Sequence, residues 1–275
     1  MQAAISAAVC SHIGARRSHQ EDNYYLNGSF MPLNAVDAGG LRASVCRDAR
    51  QLYAVCDGMS GGAMGAEAAH TVVSRMDALA RQVVENGVRE GINRFIRQAN
   101  RDVCALTEGS GGSAGTTLAL LCIDGLNVTS ANIGDSRTYL LRDGVLRQLS
   151  IDQTEARRMV RMGILTEDQA RQHPARHSLT CHLGIPEDQF LIEAVFSERM
   201  ALEEGDICMV CSDGITDALD DGELSALLSQ SKAPEALCSG IIAAALGKQC
   251  RDNITTLILR KEVVGGNGTP QHRVE

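Results

Sequence analysis

Short apolar runs separated by polar or glycine-containing turns recur along the chain, and this pattern predicts β-strands. The predicted strands cover residues 3–10, 23–26, 52–56, 118–123, 127–132, 138–141, 190–195, 206–211 and 254–259. Asp124-Gly125 and Asp143-Gly144 are typical of two-residue hairpin turns, so the strands beside them should pair antiparallel. Residues 27–50 contain glycine and show no periodicity, which predicts a loop insertion there.

Apolar residues that recur at the spacing of an α-helix predict helices in two parts of the chain. A long helical pattern runs over about 69–83, after a glycine-rich turn at 58–65, and a second helix covers about 92–106. Two more helices are expected before the last strand, one from about Asp221 and one over 234–246.

The order of these elements predicts the fold class. Helices after the early strands and before the last strand would cover both faces of antiparallel sheets. We therefore expect an α+β fold, a four-layer α/β/β/α sandwich in which helix pairs flank two central antiparallel sheets. No linker or repeat is visible, so residues 1–261 are expected to form a single domain with a polar flap at about 150–184, and 262–275 a loose tail. Thr166 and Gln169 form a capping-box pattern at the start of one flap helix.

The composition limits the class of function and the location. The 275 residues are 44% hydrophobic and 22% charged, as in an ordinary globular protein, and no apolar run approaches the length that spans a bilayer. A net charge of −8 argues against general nucleic-acid binding. The ten cysteines lie mostly inside apolar stretches, which favours buried thiols in a reducing cytoplasm over a disulfide framework.

Two groups of thiol and imidazole side chains invite a zinc interpretation. Cys208 and Cys211 have CxxC spacing, but no second pair follows and the segment is typical of a strand. The other group, within one polar stretch, consists of His173, His177, Cys181 and His182. Its spacing matches no tight pair of zinc ligands. We favour packed or solvated side chains in both groups.

Acidic residues stand at the ends of apolar runs that are far apart in the chain. Asp57, Asp213 and Asp252 are each followed at once by Gly or Asn, and Glu21 and Asp22 form an acidic pair near the start. Converging carboxylates would repel one another unless a hard cation lay between them, and oxygen-only clusters select Mg, Mn or Ca. The alternative is that each aspartate only caps a strand end in a turn.

Six short motifs occur in order along the chain. They are RSHQED at 17–22, DGM at 57–59, GTT at 115–117, GDSR at 134–137, SDG at 212–214 and DNIT at 252–255. With these motifs the chain resembles the metal-dependent protein phosphatases, the type 2C serine/threonine phosphatases, and particularly their compact bacterial members. The resemblance spans about residues 11–259. It implies hydrolysis of phosphoserine and phosphothreonine in proteins by a metal-activated water.

The resemblance implies a metal centre that holds two Mn²⁺ or Mg²⁺ ions. Asp57 matches the aspartate that bridges both ions, and the carbonyl of Gly58 reaches one of them. Asp213 and Asp252 match the carboxylates that hold the first ion. The expected catalytic residues are Arg17, Asp57 and Asp213.

Other positions of the same motifs match residues around that centre. Glu21 and Asp22 match the acidic pair near the second ion, acting partly through bound water. Asp135 matches an aspartate that helps to hold a third ion in bacterial relatives, so a third ion stays open. Asn253 matches the residue beside the last ligand, and Arg17 matches the arginine that binds the substrate phosphate. Arg16 is its competitor for that role.

The chain departs from the family pattern at two places. In the turn DGMSGGAMG one residue is inserted, and Gly62 stands where many bacterial members have a histidine. Met59 takes the place of the histidine that serves eukaryotic relatives as a candidate general acid, so no general acid is assigned. The segment that reads DHT in relatives is Asp152-Gln153-Thr154 here.

The expected partners are phosphorylated proteins, namely a serine/threonine kinase and its substrates, with no nucleic acid and no membrane. We expect a cytoplasmic monomer. Two other functions stay open. One is dephosphorylation of a small regulatory phosphoprotein in a sigma-factor pathway, and the other is phosphoprotein binding without turnover. All the acidic ligand positions of the family pattern are present in this chain, which counts against phosphoprotein binding without turnover.

Overall fold

The computed structural model describes residues 4–33, 40–59, 63–108 and 113–262. The strands are β1 (Ile5–His12), β2 (Asn23–Leu26), β3 (Ser29–Phe30), β4 (Leu41–Cys46), β5 (Arg50–Cys56), β6 (Gly58–Met59), β7 (Gly115–Thr116), β8 (Leu118–Asp124), β9 (Asn127–Ile133), β10 (Arg137–Arg142), β11 (Val145–Gln148), β12 (Val195–Phe196), β13 (Met200–Ala201), β14 (Ile207–Cys211) and β15 (Ile254–Lys261). The helices are α1 (Ala63–Val73), α2 (Met76–Asn86), α3 (Val88–Ala105), α4 (Glu155–Arg161), α5 (Glu167–Gln172), α6 (Asp213–Ala218), α7 (Asp221–Leu228) and α8 (Pro234–Gly247), with a 3₁₀ turn at Pro174–His177.

Two antiparallel sheets form the centre of the molecule. The first sheet has the strand order β11-β10-β14-β15-β1-β4, and the second has the order β12-β9-β8-β5-β2-β3 with β13 also paired to β9. In the first sheet β15 lies between β14 and β1, so the last strand within the described residues is a central one. Strands β6 and β7 form a separate two-stranded pair.

Three apolar layers hold the sheets and helices together. Between the sheets, side chains such as Tyr24, Tyr53 and Val210 are fully buried. Helices α1, α2 and α3 cover the outer face of the second sheet with residues such as Val72. Helices α6, α7 and α8 cover the first sheet with residues such as Ile241. This is the four-layer α+β sandwich that the sequence predicts, and the fold class is confirmed.

The prediction of a loop insertion over 27–50 is wrong. Strands β3 and β4 lie in this range, and β4 pairs with β1 along the edge of the first sheet. Leu41 and Val45 of β4 are exposed, so the apolar face that normally reveals a strand is missing. Residues 34–39 lie outside the described part of the chain.

Three further element predictions need correction. The long helical pattern after residue 65 is divided into α1 and α2, although buried Val73 and Met76 continue the apolar stripe across the break. Of the strand predicted over 190–195, only Val195 lies in a strand, β12. Phe190 and Leu191 are exposed. The short helix α6 was not predicted.

The segment predicted as a flap, about 150–184, contains the short helices α4 and α5 and the 3₁₀ turn. The capping box at Thr166 is confirmed, since its hydroxyl accepts from the Gln169 N–H and the Gln169 side chain accepts from the Thr166 N–H. None of the helices within the described ranges has the length and apolar character that crossing a membrane requires. The inserted position Gly62 and nearly all of the predicted tail lie outside the described residues.

Candidate active site

A cavity of about 660 Å³ opens where strands of both sheets end. Asp57 follows β5 of the second sheet, and Asp213 follows β14 of the first sheet as the first residue of α6. Asp252 stands just before β15, and Glu21 just before β2. All four line this cavity, so the fold brings together acidic residues that are nearly the whole chain apart.

Within the described residues, hydrogen-bond donors reach only one of the two carboxylate oxygens of Asp22. The Ser212 and Thr255 hydroxyls donate to its Oδ2 at 2.8 and 2.7 Å. No hydrogen-bond donor among the described residues reaches its Oδ1. Burial raises the pKa of Asp22 to about 7 against the effect of these two hydrogen bonds, and the Asp213 charge adds to the rise. A buried carboxylate oxygen without a donor is costly, and a nearby cation would compensate it.

The carboxyl groups of Asp57 and Asp213 are close enough for each to affect the pKa of the other. Burial, followed by the charges of Asp22 and Asp213, raises the pKa of Asp57 well above its ordinary value. Burial would also raise the pKa of Asp213, but the contacts with His177 and Asp57 lower it overall. Opposite shifts in adjacent carboxyls are typical of a pair that shares one proton, and a cation can replace that proton.

The backbone around Asp57 is fixed by the GTT motif. The Asp57 N–H donates to Thr117 Oγ1 at 3.0 Å, and its carbonyl accepts from the Thr117 N–H at 2.9 Å and from Thr116 Oγ1 at 3.0 Å. A Cβ on Gly58 would lie 2.2 Å from the carbonyl oxygen of Gly65, so only glycine fits after this aspartate. Gly58 itself lines the cavity.

Asp135 also lines the cavity and is nearly buried. Burial, followed by the charges of Asp213 and Asp152, raises its pKa well above the ordinary value. The structure therefore adds Asp135 to the same acidic group on the side of Asp213.

The segment 152–154 supports the GDSR turn from behind. Arg137 Nε donates to both carboxylate oxygens of Asp152 at 3.0 Å, and Nη2 donates to Oδ2 at 2.6 Å. Gln153 Oε1 accepts from the Gly134 N–H at 2.7 Å. Where relatives carry a histidine, Gln153 here helps to fix the loop that carries Asp135.

Asn253 joins the loop before β2 to the loop before β15. Its Oδ1 accepts from the Glu21 N–H at 2.8 Å, and its Nδ2 donates to the carbonyls of Ile13 and His19 at 2.9 and 3.0 Å. In addition, the Asn253 N–H donates to Asp252 Oδ1 at 2.8 Å. One amide therefore positions both Glu21 and Asp252.

Arg17 faces the acidic group. Its Nη2 donates to Asp252 Oδ2 at 2.7 Å, while about half of its side chain remains exposed. The hydrogen bond to Asp252 raises the pKa of Arg17 further above its already high value. The guanidinium has five donors, so this pair leaves others for an anion in the cavity.

Sequence reasoning missed the flap side of the cavity. His177 Nδ1 lies 3.6 Å from Asp217 Oδ2 and 3.9 Å from Asp213 Oδ2, and Arg176 Nη1 lies 3.6 Å from Asp217 Oδ1. The SDGITD segment contains a usable signal, because a helix places residues four apart on one face and so aligns Asp217 with Asp213. Nothing in the sequence shows where the flap lies, so Arg176 had no such signal, and His177 was considered only within a zinc group that we did not favour.

The other histidines and thiols show no zinc cluster within the described residues. His173 Nδ1 accepts from the Ala175 N–H and caps the 3₁₀ turn, and His182 contacts the carbonyl of Leu183. Cys208 and Cys211 are buried in β14.

The donors of the acidic cavity fit a hard divalent cation. The acidic side chains offer only oxygens, and one buried oxygen, Asp22 Oδ1, lacks a donor among the described residues. In the described ranges, no three of the carboxylates of Asp22, Asp57, Asp135, Asp213 and Asp252 form a tight three-ligand cluster. Mg²⁺ and Mn²⁺ suit such a spread arrangement because Mg²⁺ in particular keeps several of its waters.

Comparison with known proteins gives a consistent result. The family described as protein phosphatase 2C matches over residues 37–238. The serine/threonine phosphatase stp of Listeria monocytogenes serotype 4b is 25% identical over 256 residues, covering 91% of this chain and 93% of its own. The serine/threonine protein phosphatase PstP of Mycobacterium tuberculosis is 32% identical over 230 residues, or 81% of this chain and 43% of the longer relative.

Solved structures resemble this chain over almost its whole length. The Mycobacterium tuberculosis serine/threonine phosphatase PstP/Ppp superposes with a TM-score of 0.78 at 27% identity, covering 94% of this chain and all of that one. The catalytic domain of PstP in complex with two manganese ions gives a TM-score of 0.73 at 26% identity, covering 94% and 98% of the two chains.

Proposed function

The chain belongs to the protein phosphatase 2C family and is a serine/threonine phosphatase of that type, and we propose that it hydrolyses phosphoserine and phosphothreonine in proteins at the acidic cavity with the help of Mn²⁺ or Mg²⁺. The observation that carries the proposal is the convergence of Asp57, Asp213 and Asp252 from three distant strand ends. A serine/threonine kinase and its substrates are the proposed partners.

The residues that would hold the ions follow from the cavity. Asp57 lies centrally, beside Asp213, and we propose that both bind metal together with Asp252 and the carbonyl of Gly58. When bound, such ions supply positive charge for the phosphate and lower the pKa of a coordinated water. Phosphoryl transfer depends mainly on positioning and charge neutralisation, so a covalent protein nucleophile is not required.

The surrounding residues orient these ligands. Ser212 and Thr255 hold one oxygen of Asp22, so that its other oxygen keeps a fixed direction. Asn253 fixes the backbone of Glu21. We propose that Asp22 and Glu21 act at the second ion and Asp135 at a third.

Arg17 is the proposed phosphate-binding residue. Its guanidinium stands beside Asp252 at the cavity, partly exposed, where a phosphate oxygen can approach the donors that Asp252 does not use. A planar guanidinium suits bidentate contact with two phosphate oxygens. Arg17 would bind and orient the phosphate, while proton transfer to the leaving group is not assigned to any residue.

The proposal is tested with a phosphopeptide and with para-nitrophenyl phosphate on protein freed of metal by EDTA. Activity should be absent, return with Mn²⁺ or Mg²⁺, and fall by at least about 100-fold in Asp213→Asn at saturating Mn²⁺. Asp188→Asn, which changes an exposed aspartate, is the matched control. Wild-type rates in Asp213→Asn, or phosphopeptide binding without turnover in the wild type, would contradict the proposal.

A further inference from the structure

Cationic side chains also line the acidic cavity, and they are Arg17, Arg176, Lys248 and Arg251. For the first three, a carboxylate lies within ion-pair distance of the cation. Within the described residues, no carboxylate lies that close to Arg251, which is exposed. Of these four cations, Arg251 is therefore the one whose charge stays available to an anion that enters the cavity from outside.

The loop between α8 and β15 holds the backbone of Arg251 in place. Gln249 ends α8 with a left-handed backbone, φ 56°, and its N–H donates to the Leu246 carbonyl at 2.9 Å. The Cys250 carbonyl accepts from the Ala15 N–H at 3.2 Å. The loop is thus fixed at the residue just before Arg251.

The residue after Arg251 is fixed as well. A Cβ on Gly14 would lie 2.0 Å from the carbonyl oxygen of Asp252, so the loops before β2 and before β15 are in close contact there. The Asp252 side chain accepts from Arg17 at 2.7 Å. Arg251 therefore projects from a rigid position next to the residue that contacts Arg17.

This position is close to the proposed phosphate site. Arg251 adjoins Asp252, and consecutive Cα atoms are about 3.8 Å apart. An extended peptide advances about 3.3 Å per residue. A substrate whose phosphate is bound by Arg17 therefore passes within reach of Arg251 at residues that are close in sequence to the phosphoresidue.

Arg16 is the alternative cation on the neighbouring loop. It is also exposed, but it does not line the cavity, whereas Arg251 does. The cavity itself thus favours Arg251 as the second contact with the substrate.

We propose that Arg251 recognises an anionic group close in sequence to the phosphoresidue, either an Asp or Glu carboxylate or a second phosphate, and so selects acidic substrate segments. The inference rests on the proposed function and adds a specificity-determining residue to the same site. The protein has a net charge of −8 and would repel an acidic segment without local positive charge. A guanidinium supplies that charge and can contact two oxygens of one anion at once.

The test compares kcat/KM of the full chain in Mn²⁺ for three matched phosphothreonine peptides. One has neutral flanking residues, one has Glu beside the phosphothreonine, and one has a non-hydrolysable phosphonate analogue of phosphoserine there. The wild type should prefer at least one anionic peptide to the neutral one by about threefold or more, as for an exposed ion pair. The stronger preference identifies carboxylate or phosphate as the recognised group. High salt should weaken it.

Variants of Arg251 should change the ratio between the anionic and neutral peptides. We expect Arg251→Ala to bring the ratio to about one, and Arg251→Glu to bring it below one. Arg251→Lys should keep most of the preference, because the charge remains while the planar fork is lost. The ratio does not depend on the amount of active enzyme, so partial misfolding of a variant cannot imitate the result.

Arg47→Ala is the matched control. Arg47 is exposed and stands before β5, whose other end carries Asp57, and it does not line the cavity. This variant should keep the wild-type ratio. A wild type without preference, or an unchanged ratio in Arg251→Ala and Arg251→Glu, would overturn the role of Arg251. If that wild type still hydrolyses the neutral peptide, the proposed function stands, whereas a wild type that hydrolyses none of the peptides would contradict the proposed function.

Discussion

The side-chain carbonyl of Asn253 accepts a hydrogen bond from the backbone N–H of Glu21 at 2.8 Å, across 232 residues of sequence. The side-chain amide nitrogen of Asn253 donates to two backbone carbonyls of the same loop, those of Ile13 and His19. The loop before β2 therefore takes its position from the loop before β15. Carboxylates from both loops lie at the cavity because this one amide satisfies three backbone groups.

Replacing Asn253 with Ala should both destabilise the protein and displace Glu21. Three polar groups lose their partner, and a buried group left unsatisfied costs about 1–3 kcal/mol. Urea unfolding should show a loss of at least about 2 kcal/mol, and metal-dependent activity should fall with it. Asn86→Ala is the control, because the side-chain amide of Asn86 bonds, among the described residues, to Gln82 of its own helix. Equal unfolding midpoints for the two variants would contradict the assigned role of Asn253.

Arg17→Ala should reduce kcat/KM for a phosphopeptide about tenfold or more, because a hydrogen bond to a charged group contributes about 1.5–3 kcal/mol. Arg16→Ala is the matched control from the adjacent position, and we expect it to change kcat/KM less than twofold. Arg17→Lys should restore part of the loss, since it keeps the charge but not the planar fork. A larger effect at Arg16 than at Arg17 would reassign the phosphate contact.

The metal-free protein should lose stability as pH rises from about 4 to 7. Burial raises the pKa of Asp22 from 3.8 to about 7, so the folded state holds a proton that the unfolded state releases at lower pH. This contribution is complete below the unfolded pKa and disappears as pH passes through the folded value. Melting temperatures in EDTA should fall less steeply over this range in Asp22→Asn. Identical slopes for the two proteins would show that Asp22 ionises normally.

Metal ions should reverse that trend. Cation binding requires deprotonated ligands, so the gain in melting temperature on adding Mn²⁺ should grow as pH rises from 5 towards 8. A gain that is constant with pH would contradict metal binding by the buried carboxylates. Asp188→Asn should behave like the wild type in the same series.

The ion pair of Arg137 and Asp152 should contribute far more to the free energy of unfolding than the exposed ion pairs do. Removing Asp152 leaves a largely buried guanidinium without its bidentate partner, and we expect a loss of about 3 kcal/mol in urea unfolding. Glu187→Ala breaks the exposed pair with Arg101 and should cost less than about 1 kcal/mol. Similar losses in both variants would mean that water compensates Arg137.

The sequence predicts those parts of the fold whose side chains carry the pattern themselves. Strand β15 is apolar on both faces, and Asp57 ends a buried strand before a glycine that close packing requires. Strand β4 escaped prediction because its edge position leaves Leu41 and Val45 exposed.

The same distinction applies to the candidate site, where some residues follow from the sequence pattern and others do not. Acidic residues at strand ends are visible because the sheets place them, whereas the contact of His177 with Asp217 depends on how the flap docks against α6. A polar flap has no apolar periodicity that would fix its orientation. The SDG motif ends at Gly214 and does not reach Asp217.

The central position of β15 also decides when the site can form during synthesis. A nascent chain that ends near residue 250 contains β1, β5 and β14. It still lacks β15, the strand that lies between β1 and β14 and pairs with both. Asp252 and Asn253 are still untranslated, so the Glu21 loop has no anchor. Such contacts between the two ends of a sequence form slowly and late. Catalytic competence should thus appear only after β15 has been synthesised and has inserted between β1 and β14.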